Sequence, residues 1–325
     1  MNRIHRAALI GVAICATVLL AGCPPQAPSQ TLPPPMSFDQ VVGKVNENND
    51  HLLWLKGSIS DWGGELVEPD GTRTSLGLLG LRGHIWYAQP NHLFIDVIKG
   101  EQTVMELGSN ERFYWLWVQP PGRHGKCWVG SYERWNASAG KGLIPIHPQQ
   151  LAQLLGIDAI PADSYMQARP VWPILRVSDP ADRSYVVEFM TTGDGRMILQ
   201  RELWLDRDTN RPRRVRLFDG GGQVVFDSTP SDWQPVTSGS KALVPRSVDI
   251  QSIVVKPVTN DKGELTGVVQ ENGTRMRLTF AGVTVDDKFS VAKRAAMYQF
   301  HCPPDIERVN LDEVAATQPN EGDSN

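Results

Sequence analysis

Basic residues are not in excess in this chain. Against 36 Asp and Glu stand 32 Lys and Arg in 325 residues, a net charge of −4. A chain with no basic stripe has no electrostatic footprint for nucleic acid, and none is expected as a partner. Metal-ligand spacing is missing too. The histidines at 51, 84, 92, 124, 147 and 301 contain no H-E-x-x-H pair, so neither a metal nor a cofactor is expected. "DRDTN" (206–210) opens like a calcium loop but has Arg211 at its sixth position and Leu217 at its twelfth, where Gly and Glu are required. "SGSK" (238–241) matches S-x-x-K without the S-D-N or K-T-G that acyl-enzyme chemistry needs beside it. "DGGGQ" (219–223) is followed by "VVFDS", a strand pattern, and not by the helix of a phosphate loop. No catalytic residue emerges, and the chain is expected to bind and not to catalyse. A membrane-spanning run is also lacking, because the apolar segment 7–21 falls short of the roughly 20 residues a spanning helix needs.

What the N-terminus does have is a positive start (Arg3, His5, Arg6), that short apolar run, and then Leu20-Ala21-Gly22-Cys23. This is the pattern of a secretory signal peptide over 1–22. Its last four residues resemble the bacterial lipobox, which implies cleavage before Cys23 and lipidation of its thiol. Acyl chains contribute about 0.8 kcal/mol per buried CH₂, enough in combination to fix a protein to a membrane. Residues 23–36 follow as a tether, with prolines at 24, 25, 28, 33, 34 and 35 and no charge, a composition that stays extended and cannot fold. Pro24, in place of Asp, after the cysteine points to the outer membrane, with the inner membrane as the alternative. The chain is then lipid-anchored in the cell envelope and faces the periplasm.

At the other end, 303–325 carries acids at 305, 307, 312, 313, 321 and 323 against Arg308, and reads as an acidic, largely disordered tail. Loss of Arg3 and Arg6 leaves the mature chain at −6; the tail holds −5 of this, so the body, 37–302, is close to neutral. It has no field with which to steer a charged substrate. It holds all ten tryptophans and no linker or repeat, and reads as one large domain. Of the 4 cysteines, Cys15 leaves with the signal and Cys23 is lipidated. Cys127 and Cys302 remain for an oxidising compartment, either as a disulfide or as two buried thiols.

Within the body, "SFDQVVGKVNENN" opens with a capping box, Ser37 and Gln40, and places Phe38, Val41, Val42 and Val45 on one helical face. Apolar strands separated by Gly, Pro, Asn and Asp follow, then a short helix around Leu151, Leu154 and Leu155 stopped by Gly156, then strands again. "RRVRLF" and "RMRLTF" alternate arginine with apolar residues, the mark of an antiparallel sheet with one wet face. "RFYWLWV" is apolar on both faces and calls for cover on both.

This order of helix, meander, short helix and second meander resembles that of the periplasmic lipoprotein carrier LolA and its anchored receptor LolB. The stretches that carry the resemblance are "GHIWYAQPNHLFIDV", "ELGSNERFYWLWVQ", "RELWLDRDTNRPRRVRLFDGGGQVVFDS" and "LVPRSVDIQSI". It implies an α+β fold, mainly antiparallel β, in which a curved, incomplete β-barrel (a half-barrel) has helices covering its open face. It also implies an apolar cavity for acyl chains of lipids or lipoproteins. The inward candidates are Trp86, Leu93, Phe113, Trp115, Trp117, Phe189, Trp204, Val215, Leu217, Met276, Leu278 and Phe280, which otherwise fill an ordinary core. Leu76, Leu78, Leu79 and Leu81 form either a membrane-contact loop of the kind the receptor has or a buried strand. The carriers' arginine before the hairpin proline is here Gln89, which places a lid latch of that kind in doubt. The partners expected are the membrane through the N-terminal lipid, lipid or lipoprotein acyl chains, and an envelope protein; the alternative is a tethered sensor or interaction module of the same fold with no bound lipid.

Overall fold

The structure is a computed structural model, and it describes residues 34–67, 73–75, 81–89, 91–119, 124–134, 148–160, 171–177, 183–193, 195–237, 241–260, 262, 264–285, 295 and 297–313. Cys23, Leu76, Leu78 and Leu79 lie outside these residues.

Helix α1 (Phe38–Asn49) begins as the sequence dictates. The Ser37 Oγ accepts from the Gln40 N–H at 3.3 Å, and the Gln40 side chain accepts from the Ser37 N–H at 2.9 Å. Its valines 41, 42 and 45 are buried. The first meander is β1 (Trp54–Val67), β2 (Arg73–Ser75), β3 (Arg82–Ala88), β4 (His92–Lys99), β5 (Gln102–Ser109), β6 (Phe113–Val118) and β7 (Lys126–Ser131). Helix α2 (Pro148–Leu154) intervenes and ends at Gly156, whose φ of +72° favours glycine. The second meander is β8 (Val171–Val177), β9 (Ser184–Gly193), β10 (Arg196–Asp206), β11 (Pro212–Phe218) and β12 (Val224–Ser231), then the short pair β13 (Gln234–Pro235) and β14 (Leu243–Val244), then the long hairpin β15 (Ser247–Thr259) and β16 (Leu265–Thr284). A last strand is β17 (Glu307–Asn310).

Apart from β13 and β14, which form a two-stranded sheet of their own, these strands form one sheet in the order β17-β7-β6-β5-β4-β3-β1-β16-β15-β12-β11-β10-β9-β8, with β2 branching from β1. All its neighbours are antiparallel except β17, which runs parallel to β7. Among the described residues β17 and β8 are the free ends, so the sheet does not close: it is a curved, open half-barrel with helices. The two meanders meet at a single pair, β1 with β16, from Lys56 opposite Thr284 to Glu65 opposite Arg275.

The concave face carries the core. Val41, Val42 and Val45 of α1 and Leu151, Ala152 and Leu154 of α2 pack there against apolar side chains from both meanders. The convex face has two characters. Over the second meander it is wet and ionic: Arg176 pairs with Glu188 (2.7 Å), Arg214 with Asp227 (2.8 Å), and Arg277 with Asp249 (2.7 Å). Arg214 and Arg277 are among the arginines whose alternation marked a solvated face. Over β5–β7 the convex face is dry, because the chain's end returns to cover it.

That return corrects, for residues 303–313, the reading of 303–325 as a largely disordered tail; residues 314–325 lie outside the described residues. Glu307–Asn310 pairs with Lys126–Val129, Val309 packs on the core, and Leu311 is buried. A short stretch rich in acids conceals a strand whose partner lies about 180 residues earlier, and composition carries no sign of such a pairing.

Candidate functional site

Seven of the twelve predicted inward residues share the concave core: Leu93, Phe189, Val215, Leu217, Met276, Leu278 and Phe280. They are 0 to 8% exposed, packed beneath α1, α2 and the loop that follows α2. Leu81 belongs to the same core, so this member of the leucine-rich stretch is buried and does not protrude.

The other five point the opposite way. Trp115 and Trp117 lie on the convex face, since Tyr114, Leu116 and Val118 of the same strand occupy the core. Alternation gave β6 two apolar faces but could not say which looked inward. The Trp115 indole N–H donates to Glu106 Oε1 at 2.8 Å, and its ring meets Phe300 edge-on with centroids 5.9 Å apart. A Cβ on Gly108 would stand 2.1 Å from that ring, so glycine is required beneath it. Phe113, at 42% exposed, lies at the strand's rim. Trp86 sits between His84 and Phe94, with centroids at 5.1 and 5.6 Å, again on the convex side. Trp204 donates to Glu202 at 3.1 Å beneath the Arg176 guanidinium. Trp115 and Trp204 thus satisfy their indole N–H on this side of the sheet, whereas those of Trp86 and Trp117 are buried there without a hydrogen-bond partner among the described residues.

Polar side chains also tie the parts of the helical cover to one another and to the sheet, and a search for apolar linings passes over them. Asn46 makes a two-point clamp on Ile160: its Nδ2 donates to the Ile160 carbonyl and its Oδ1 accepts from the Ile160 N–H, both at 2.7 Å. Asn48 clamps Leu243 in the same manner at 3.0 and 2.7 Å. Buried Asn49 donates to the Asp158 carbonyl at 2.9 Å. Ser228, buried on β12, donates to the Leu154 carbonyl at the end of α2 at 2.7 Å.

At the centre is Arg201. It faces the core in line with Leu203 and Leu205 on β10 and is only 6% exposed. Its Nη1 is 2.9 Å from Asp158 Oδ2, in the loop after α2, and its guanidinium lies 3.8 Å from the Phe189 ring centroid. Burial, reinforced by the Asp158 charge, drives the Tyr87 phenol well above its ordinary range, so a neutral hydroxyl faces this ion pair. In "LQRELWLD" the signal was an arginine at an inward position of an alternating strand; its partner, 43 residues away, had none.

Two clefts flank this region. One of about 220 Å³ lies between the end of α1 and the β10–β11 turn, lined by Lys44, His51, Arg211, Trp233 and Lys241 among others. The other, about 610 Å³, opens between the hairpin tips at Gly193–Leu199 and Gly220–Gly222. His84, paired with Asp96 at 3.0 Å, does not face His92, which sits opposite Ala88.

No protein-family model matches the chain, and no curated protein matches it. Among solved structures, a LolA superfamily protein from Nitrosomonas europaea is similar over 82% of this chain and 99% of its own, at 11% identity and a TM-score of 0.42. An outer membrane lipoprotein-sorting protein domain from Vibrio parahaemolyticus is similar over 80% and 99%, at 9% identity and a TM-score of 0.40. A DUF1329 family protein from Desulfovibrio piger is similar over 80% and 98%, at 9% identity and a TM-score of 0.44. Likenesses at this level concern fold alone and say nothing of what this chain binds. By its sheet order and its helical cover the chain is an open, mainly antiparallel half-barrel.

Proposed function

We propose that this chain is a membrane-tethered binding protein of the bacterial envelope, and not an enzyme, which takes up acyl chains of lipids or lipoproteins between the concave face and its cover. One observation carries the reading: a continuous apolar face on an open sheet is closed by two short helices that pack apolar side chains on it and are also fixed by polar clamps and one buried arginine. A core meant only for stability gains little from a buried ion pair, since hydrophobic replacements of equal volume are often as stable. A cover that must lift and reseat is positioned by such directional contacts. Lipidation of Cys23 and the stalk 23–36 would keep the domain at the membrane that supplies its ligand.

The test is mass spectrometry of organic extracts from the purified protein, with titration by a fluorescent fatty acid. Co-purified lipid or acylated peptide near one per chain supports the reading. An empty protein that also fails to bind the probe refutes it.

A second reading, a tethered interaction module with no lipid, has its own observation. Beyond the region where β16 pairs with β1, the β15–β16 hairpin runs on as a two-stranded ribbon from Ile253 opposite Asn272 to Thr259 opposite Leu265. Val254, Val258, Val268 and Val269 on it are 38 to 52% exposed. Exposed valines on an extended ribbon fit a protein partner. Capture of one envelope protein by the full chain, lost on placing charges at these valines while lipid is absent, would favour this reading.

A further inference from the structure

We infer that Cys127 and Cys302 are joined by a disulfide in the mature protein, a cross-link that fastens the returning C-terminal segment to the dry half of the convex face. Cys127 lies on β7, fully buried, and Cys302, partly buried, is within side-chain hydrogen-bonding reach of its thiol. Both are thiols in this structure.

The contact belongs to a built layer. Phe300 meets Trp115 edge-on, and Arg308 stacks over Phe300 with its guanidinium 4.8 Å from the ring centroid. Arg308 stands opposite Cys127 in the β17–β7 register. Ile306 reaches to within 2.9 Å of where a Cβ on Gly125 would be. The segment is therefore seated on both sides of Cys302, and the two sulfurs meet as part of that seating. Every other contact in the layer is non-covalent, and β17 is a short edge strand of four residues, an element that opens readily by itself.

The chemistry follows from the two environments. Cys302, the more accessible, meets the oxidant, either a small-molecule disulfide or the disulfide of an envelope oxidoreductase. Its thiolate attacks one sulfur and expels the first reagent thiol, which leaves a mixed disulfide. Cys127 then loses its proton and attacks the Cys302 sulfur, expelling the second reagent thiol. Two protein thiols give up two electrons and two protons, and the reagent disulfide is reduced to two thiols. Burial drives the Cys127 thiol far above its ordinary range while Arg308 pulls it down. Cys127 therefore does not initiate the exchange, and it attacks only once Cys302 holds the mixed disulfide beside it.

The full chain should be purified without reductant, equilibrated in a glutathione redox buffer at an oxidising poise, denatured, alkylated, digested without reduction and mapped by mass spectrometry. The expected product is a peptide pair containing Cys127 and Cys302, two hydrogens lighter than the free pair and separated by reduction. Reduction should also shorten the half-life of the 297–313 segment against protease by roughly tenfold, and Cys302→Ser should behave as the reduced wild type. Full alkylation of both cysteines before reduction overturns the inference, as does a linkage of either to another cysteine. The map uses the wild-type chain, so it decides the matter even if Cys302→Ser does not fold.

Discussion

Replacing Arg201 by methionine should loosen the cover without unfolding the sheet. The arginine is almost wholly buried, so the change removes one partner of a buried ion pair, a loss of about 3–5 kcal/mol where the remaining charge has no escape. Here the remaining charge does have one: the Asp158 side chain is 29% exposed and gains water once released. About 2–3 kcal/mol is the fitting figure. The lost stacking on Phe189 adds about 1 kcal/mol, and the methionine stem recovers about the same through apolar burial. A net loss near 2–3 kcal/mol, confined to the contact between the α2 loop and β10, raises the open fraction of the cover by roughly 30- to 150-fold. Hydrogen exchange at residues 151–160 should quicken by that factor while β9–β12 amides keep their protection. An apolar dye should bind where it did not before. If the cover is also needed for global stability, the midpoint of thermal unfolding falls by about 5 °C. The double variant Arg201→Met with Asp158→Leu should return much of the loss, because both charges are gone. Exchange and dye binding unchanged in Arg201→Met would show that Arg201 does not hold the cover, and the reasoning would fail.

Other outcomes follow from the convex layer and the ribbon. Burial raises the Glu106 carboxyl above its ordinary range, against the opposing Trp115 hydrogen bond. Between those two values the folded chain binds more protons than the unfolded one, so stability falls as pH rises through that window. Glu106→Gln keeps an oxygen for Trp115 and should flatten the fall, as read from urea unfolding between about pH 4 and 7. Gly108→Val drives a side chain into the Trp115 ring and should cost about 3 kcal/mol, with a lower thermal midpoint and an altered near-UV spectrum. Val254→Asp with Val268→Asp should change stability by less than about 0.5 kcal/mol, and a larger loss in thermal unfolding would mean that the ribbon is packed and not free.

The sequence made much of this fold legible where local chemistry decides. Ser37 and Gln40 announced α1, and Gly156 stopped α2. The stretch after Asp206 is a turn because that carboxylate accepts from the N–H groups of Asp208 and Thr209. Alternation placed Arg214, Arg277 and their neighbours outward. It failed where both faces of a strand are dry, as at Trp115 and Trp117, because the cover of the second face comes from Phe300, nearly two hundred residues later. The clamps were hidden for a related reason. Asn46, Asn48 and Asn49 read as a polar helix end in "NENN", and only the folded chain brings Ile160, Leu243 and Asp158 beneath them.

The joining of the meanders at β1 and β16 has a consequence for assembly. One edge of β1 pairs early with β3 and β2, but the other, over residues 56–65, finds its partners in 275–284, so a chain delivered from its N-terminus holds β1 with one bare edge until almost all of it has arrived. Contacts of such separation make folding slow, and a bare edge beside an unfinished apolar face invites wrong pairing. The longest strand, β16, closes that edge when it arrives, and of the described strands only β17 remains to be laid beside β7.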